Sequence, residues 1–189
     1  SLTDLHCNSY FIDNKATPIT GITTDIDGSA RNGTTPDIGA DEFASTLTPL
    51  AGAYVIGPTG NYSGFDTAAT DLMLRGVSAP VTFEVQSGTY KEKFELQQIP
   101  GTNSKDTILF VSQSGIASDV ILTDSSLSTS NYLVYLQGAK YITFKKITFD
   151  TDHNGSYSQQ VYLTSSSKRI NFINNVFNGK GSNQTSSYH

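Results

Sequence analysis

Between Val134 and Asp150 the chain reads VYLQGAKYITFKKITFD, and its apolar residues fall in alternating pairs, Val134 with Leu136, Ile142 with Phe144 and Ile147 with Phe149. Alternation of period 2 marks strands with one buried face, so the polar corners between the pairs predict three short strands joined by two bends. The figure recurs. Phe94, Val120, Ile147 and Asn175 stand at matching places 26, 27 and 28 residues apart, as do Leu96, Leu122, Phe149 and Phe177. A unit of this length can bury its inner face only against its neighbours, which is the mark of a solenoid. No helical period runs through these units. The pattern therefore predicts an all-β chain built as a parallel β-helix, with successive coils about 4.8 Å apart. Residues 81–178 are expected to supply its parallel strands, with the seven apolar residues of the two series buried in columns.

Ahead of these units the pattern changes twice. Ser63 to Gly76 carries helical signals: Ser63 and Asp66 in capping-box spacing, Phe65, Ala68, Ala69 and Leu72 on one face, and Gly76 as a stop. A helix here would cover the apolar end and the strand edges of the first coil, with Phe65 and Leu72 meeting that coil near Phe83 and Val85. Tyr54 to Ile56 reads as a short strand before it, and residues 45–52 read as a linker. Residues 1–44 hold no unit of the repeating kind. The expected organisation is thus a separate segment (1–44), a linker (45–52), and the cap and first coils of a solenoid (53–189).

Charge supports the separation. Residues 1–50 hold seven acids (Asp4, Asp13, Asp25, Asp27, Asp37, Asp41 and Glu42) against Lys15 and Arg31, which accounts for the whole net charge of −5. An acidic chain with no basic stripe argues against nucleic acid as a partner. No apolar run approaches the length of a membrane span, and no basic, apolar leader stands in the sequence. Cys7 is the only cysteine, so an internal disulfide is excluded, and it reads as a packed thiol rather than a nucleophile.

Two stretches resemble known proteins. Asp25, Asp27, Gly28 and Arg31, followed by Pro36 to Glu42 (PDIGADE), resemble the closing segment of β-helix modules in large bacterial secreted and surface proteins. A tyrosine-containing loop, the helix, an apolar strand and then Gly88-Thr89-Tyr90-Lys91-Glu92 resemble the N-terminal entry of pectin-lyase-like right-handed β-helices. RINFINNVFNG (169–179) is similar to their coil motif, in which Asn174 or Asn175 would fill an inward bend. The resemblance covers residues 53–179. It implies a right-handed solenoid, an extracellular or cell-surface location, and adjacent β-helix modules or neighbouring copies as partners at the final coil.

Candidate chemistry is sparse. Asp150, Asp152 and Asn154, followed by Gly155, match the opening of a Ca²⁺ loop, but the bidentate Glu it requires falls at Val161, which excludes an EF-hand. A smaller Ca²⁺ site at a corner and a solvated Asx-rich turn both fit what remains. Asp25 and Asp27, near Asp37, Asp41 and Glu42, pose the same choice between a Ca²⁺ site and carboxylates that cap backbone N–H groups around Arg31. The pectin-lyase-like fold includes polysaccharide lyases and hydrolases. Yet no carboxylate pair at hydrolase spacing can be picked out, and no acid lies among Lys145 and Lys146 to complete a lyase site. Tyr54, Tyr62, Tyr90, Tyr132, Tyr135, Tyr141, Tyr157 and Tyr162 could serve as sugar-stacking platforms or pack against the coils. The first expectation is a non-catalytic structural or adhesive segment that contacts polysaccharide. The alternative is the N-terminal part of an extracellular polysaccharide lyase or glycoside hydrolase with catalytic coils outside this window.

Overall fold

The structure, a computed structural model, describes residues 5–179 apart from residues 8, 126–129, 153–158 and 165 and the side chains of residues 125 and 152. The chain divides into two compact units, Ser1–Pro49 and Leu50–His189. Among its described residues the first unit has turns, loops and one isolated antiparallel bridge, Thr24 to Ala30. Side chains do the work of a sheet there. Asp37, 2 % exposed, accepts from the backbone N–H of Asn14 (2.6 Å) and Phe43 (2.7 Å), and Glu42 accepts from those of Asn32 (2.9 Å) and Asp37 (3.1 Å).

Among its described residues the second unit is mostly β, with parallel sheets and one α-helix. Strands β1 (Leu50–Ile56), β2 (Val77–Val85), β5 (Ile108–Ser112), β8 (Lys140–Lys145) and β11 (Lys168–Ile173) form one sheet in that order. A second sheet holds β3 (Gly88–Lys91), β6 (Val120–Ser125), β9 (Thr148–Asp152) and β12 (Val176–Asn178), and a third holds β4 (Phe94–Leu96), β7 (Tyr132–Leu136) and β10 (Gln159–Leu163). From β2 onward the chain visits the three sheets in rotation, and each strand pairs parallel with the strand one round later. Val134 to Asp150 does form three strands joined by two bends, β7, β8 and β9, and each belongs to a different sheet.

Alternation puts the same positions inward in every round. Phe83, Phe110, Phe144 and Phe172 lie in register, with successive ring centroids 4.8, 5.3 and 5.2 Å apart and planes within 14° of parallel. The backbone repeats as well. Positive φ recurs every 28 residues at Gly138 and Ser166, at Tyr141 and Arg169, and at Lys146 and Asn174, fixing the corners. Asn175 then reaches back one round, its Nδ2 donating to Phe144 O and its Oδ1 accepting from Ile147 N–H, both at 2.9 Å.

The structure corrects the register expected for the first repeat. Phe94 pairs with Val134 and Leu96 with Leu136, while Val120 and Leu122 lie opposite Gly88 and Tyr90. The corner between β5 and β6 is long and contains a 3-10 turn, Ala117–Asp119, whereas β2 to β3 and β8 to β9 turn in two residues. Constant spacing therefore fails across it. Six of the seven column residues are fully buried or nearly so, but Phe177 is 44 % exposed, because β12 is the outermost strand of its sheet.

Helix α1 (Phe65–Arg75) packs on β1 and β4 through Phe65, Ala68, Ala69 and Leu72. The Phe65 ring meets Tyr90 and Phe94 at 5.3 and 5.8 Å, and Phe110, which stacks on Phe83, at 6.0 Å. Gly76 ends the helix with φ 61° and its N–H on Leu72 O. The expected Ser63 cap is replaced. Gly64 is the N-cap, and Glu92, from the corner after β3, takes the backbone N–H of Phe65 (2.8 Å) and Asp66 (3.1 Å). Strand β1 starts at Leu50, inside the stretch expected to be linker, because Leu50 is fully buried and its N–H bonds Gly76 O.

Candidate functional site

The three-stranded sheet carries the most distinctive outer surface. Its strands turn Phe94, Leu96, Val134 and Leu136 inward, all at most 1 % exposed, so the residues between them must face out. Register then lines up Glu95, Tyr135 and Tyr162 across β4, β7 and β10. The rings of Tyr135 and Tyr162 stack at 5.2 Å and 12°. Tyr132 leans onto the same row, 4.9 Å from Tyr135, and donates its hydroxyl to Glu95 Oε1 at 2.5 Å.

Electrostatics fix the row at its β4 end. The Glu95 hydrogen bond, with some desolvation, pushes the Tyr132 hydroxyl up to about 12, so it stays a donor at neutral pH. Lys93 Nζ lies 5.3 Å from the Tyr132 ring centroid and is held by Ser130 O and Oγ. Beside it a shallow cleft of about 210 Å³ runs between helix and sheet, lined by Asp66, Ala69, Thr70, Met73, Lys93 and Glu95. Tyr162, on the edge strand, is 42 % exposed. The arrangement offers ring surface, phenol hydroxyls, a carboxylate and an ammonium on a rigid sheet, the groups that bind a polyhydroxylated ligand.

The other tyrosines mostly pack. Tyr54 and Tyr62 lie 5.8 and 5.7 Å from Phe83, and Tyr90 donates to Gln86 O at 2.8 Å. Tyr62 also donates to Asp71 Oδ2 at 2.6 Å, and burial together with that bond raises its hydroxyl above the usual range. Tyr157 lies outside the described residues. Among the bases, Lys140 faces Lys168 across the sheet, and Lys145 faces Val111 and Ile173.

One acid pair escaped the sequence reading. Glu92 meets Asp66 at the helix N-terminus, and burial, then the bond to Asp66, raise Glu92 to about 7 against the pull of two backbone N–H donors. Perturbed acids often mark function. Here both oxygens are spent on Phe65 and Asp66 N–H, so the pair is a helix cap.

The two groups of Ca²⁺ candidates have different fates. Asp25 Oδ1 accepts from the backbone N–H of Asp27 (2.9 Å) and Ser29 (2.7 Å), and its Oδ2 from that of Glu42 (3.2 Å). Desolvation acts to raise this carboxyl, but the three backbone donors and the Arg31 charge outweigh it and hold it below the ordinary range. Asp27 turns away to His6, Oδ2 to Nε2 2.8 Å, and with Asp41 these side chains place ligand atoms within 4.8 Å of one another. Sequence reasoning missed His6, 21 residues from Asp27 in a segment without periodicity. Asp150 lies on β9, Asp152 ends that strand with its side chain outside the described residues, and Asn154 lies outside them altogether.

No described helix is long and apolar enough to cross a membrane. No protein-family model matches the chain, and no curated protein or solved structure matches it.

Proposed function

We propose that residues 50–179 are coils of a right-handed parallel β-helix of the pectin-lyase-like kind, serving as a non-catalytic structural and adhesive segment of a secreted or cell-surface protein. The rotation of strands through three parallel sheets and the corner geometry recurring at 28 residues support the solenoid. The row Glu95, Tyr135 and Tyr162 with Tyr132 supports a polysaccharide as the ligand, and it carries the functional reading. Tyrosine offers a wide, stiff contact surface at small entropic cost. The exposed surface of the Tyr135 and Tyr162 row takes a pyranose ring, while the phenol hydroxyls and Glu95 take its hydroxyl groups.

Affinity electrophoresis through gels holding cellulose derivatives, xylan, mannan or pectin tests this. Retardation by one of these polymers is expected, lost in Tyr162→Ala and in Tyr135→Ala, with no release of reducing ends or unsaturated products. Migration unaffected by every polymer, or retardation that survives both substitutions, would overturn it.

A further inference from the structure

We propose that copies of this chain join head to tail, the apolar end of the last round of strands in one copy seating on the acidic first unit of the next. That end is open. β10, β11 and β12 are the outermost strands of their sheets, so each offers a row of backbone N–H and C=O groups. Leu163 and Phe177 hold the inward positions that Leu136 and Phe149 hold one round earlier, where burial is complete, yet they are 48 % and 44 % exposed. Ile173 and Val176 are exposed to a similar degree. Lys168 and Arg169, both exposed, open β11, and after Asp152 the sequence holds no acid.

The first unit presents the complement. Ile19, Ile22 and Ile38 are each at least half exposed and, with Pro18 and Pro36, line an open cavity of about 400 Å³. Large apolar side chains gathered around a cavity on so small a unit mark an interaction surface. The field around it is negative, since residues 1–50 carry the whole net charge of −5. Charge then decides which surface covers which. Two strand ends brought together would set Lys168 and Arg169 against a second Lys168 and Arg169 with no acid after Asp152 to separate them, and two first units would repel as like charges. Only the unlike pair attracts. Such a contact is heterologous, so every copy keeps a free surface of each kind and the assembly grows open-ended instead of closing as a symmetric pair.

Sedimentation velocity of the 189-residue chain over a concentration series tests the contact. The mean mass should rise with concentration past that of a dimer. Raising NaCl from about 0.01 to about 0.1 M, which shortens the screening length from about 30 to about 10 Å, should weaken association severalfold. Lys168→Glu with Arg169→Glu, and separately Ile19→Asn with Ile22→Asn, should each weaken it by about tenfold or more. All four side chains are exposed, so these substitutions spare the fold. Lys105→Glu, at an exposed position in the loop between β4 and β5, should change nothing. Mixing the two double variants gives the decisive reading. One keeps the first-unit surface and the other keeps the strand end, so the equimolar mixture should form a dimer and nothing larger. A monomer at every concentration, an unsubstituted chain that stops at a dimer, or a mixture that stays monomeric would overturn the proposal.

Discussion

Phe110→Ala is the substitution that most tests how the second unit is held together. The ring is fully buried at the centre of the aromatic column, stacked on Phe83 at 4.8 Å and on Phe144 at 5.3 Å, with Phe94 edge-on at 5.2 Å. Truncating a buried Phe to Ala costs about 3–5 kcal/mol from lost transfer energy and the cavity left behind. Each well-oriented aromatic pair adds about 0.5–1.5 kcal/mol, so the upper end of that range is expected. The backbone on either side is clamped by ladders to β2 and β8, which limits collapse into the hole. Phe177→Ala is the internal control, since that ring is 44 % exposed on an edge strand and has less burial to lose. Urea unfolding followed by circular dichroism reads the difference. With a slope of about 2 kcal/mol/M, the midpoint should fall by about 2 M for Phe110→Ala and by well under half of that for Phe177→Ala. Equal shifts, or a cost below about 1.5 kcal/mol at Phe110, would refute the stacked column as the chief source of stability.

Leu72→Ala should cost about 2–5 kcal/mol in the same assay, because Leu72 is fully buried where α1 packs on the sheets. Glu92 is raised to about 7 from an ordinary 4.5, so it favours the folded state below pH 4.5 and loses that contribution as pH rises towards 7. The effect is about 1 kcal/mol once solvent screening of this half-open carboxyl is allowed for, and Glu92→Gln should flatten the difference in urea midpoint between pH 4.5 and 7. A Cβ on Gly64 would lie 2.7 Å from both Glu92 oxygens, so Gly64→Ala should displace the carboxylate, cost about 0.5–2 kcal/mol as a lost cap, and be less than additive with Glu92→Ala in a double-mutant cycle.

Where local pattern and burial agree, the fold can be read from the residues alone. Period-2 alternation located β7, β8 and β9, and the Phe65, Ala68, Ala69, Leu72 face with Gly76 located α1, because each signal lies within one element. Equivalence between rounds was harder. The long corner with the Ala117–Asp119 turn changes the spacing, so Phe94 matched Val120 by count while its backbone pairs with Val134. The cap of α1 was missed for a related reason: Glu92 lies 27 residues beyond Phe65 in the chain and reaches it only because β3 ends beside the helix. Site chemistry was the least visible. The Tyr135 and Tyr162 row depends on cross-strand register, and His6 joins Asp27 and Asp41 through loops whose course no periodicity dictates.

Methyl-to-methyl nuclear Overhauser contacts in the selectively labelled chain test the parallel, in-register stacking most directly. Cross peaks are expected from Val134 to Val161 and from Leu136 to Leu163, together with Val81 to Ile108, Ile108 to Ile142 and Ile142 to Ile170 in the larger sheet. Ile108 and Ile170, two strand spacings or about 9.6 Å apart, should show none. Cross peaks from Val134 to Leu163 and from Leu136 to Val161 would instead mean antiparallel pairing, and would contradict the parallel, in-register sheets on which the proposed solenoid rests.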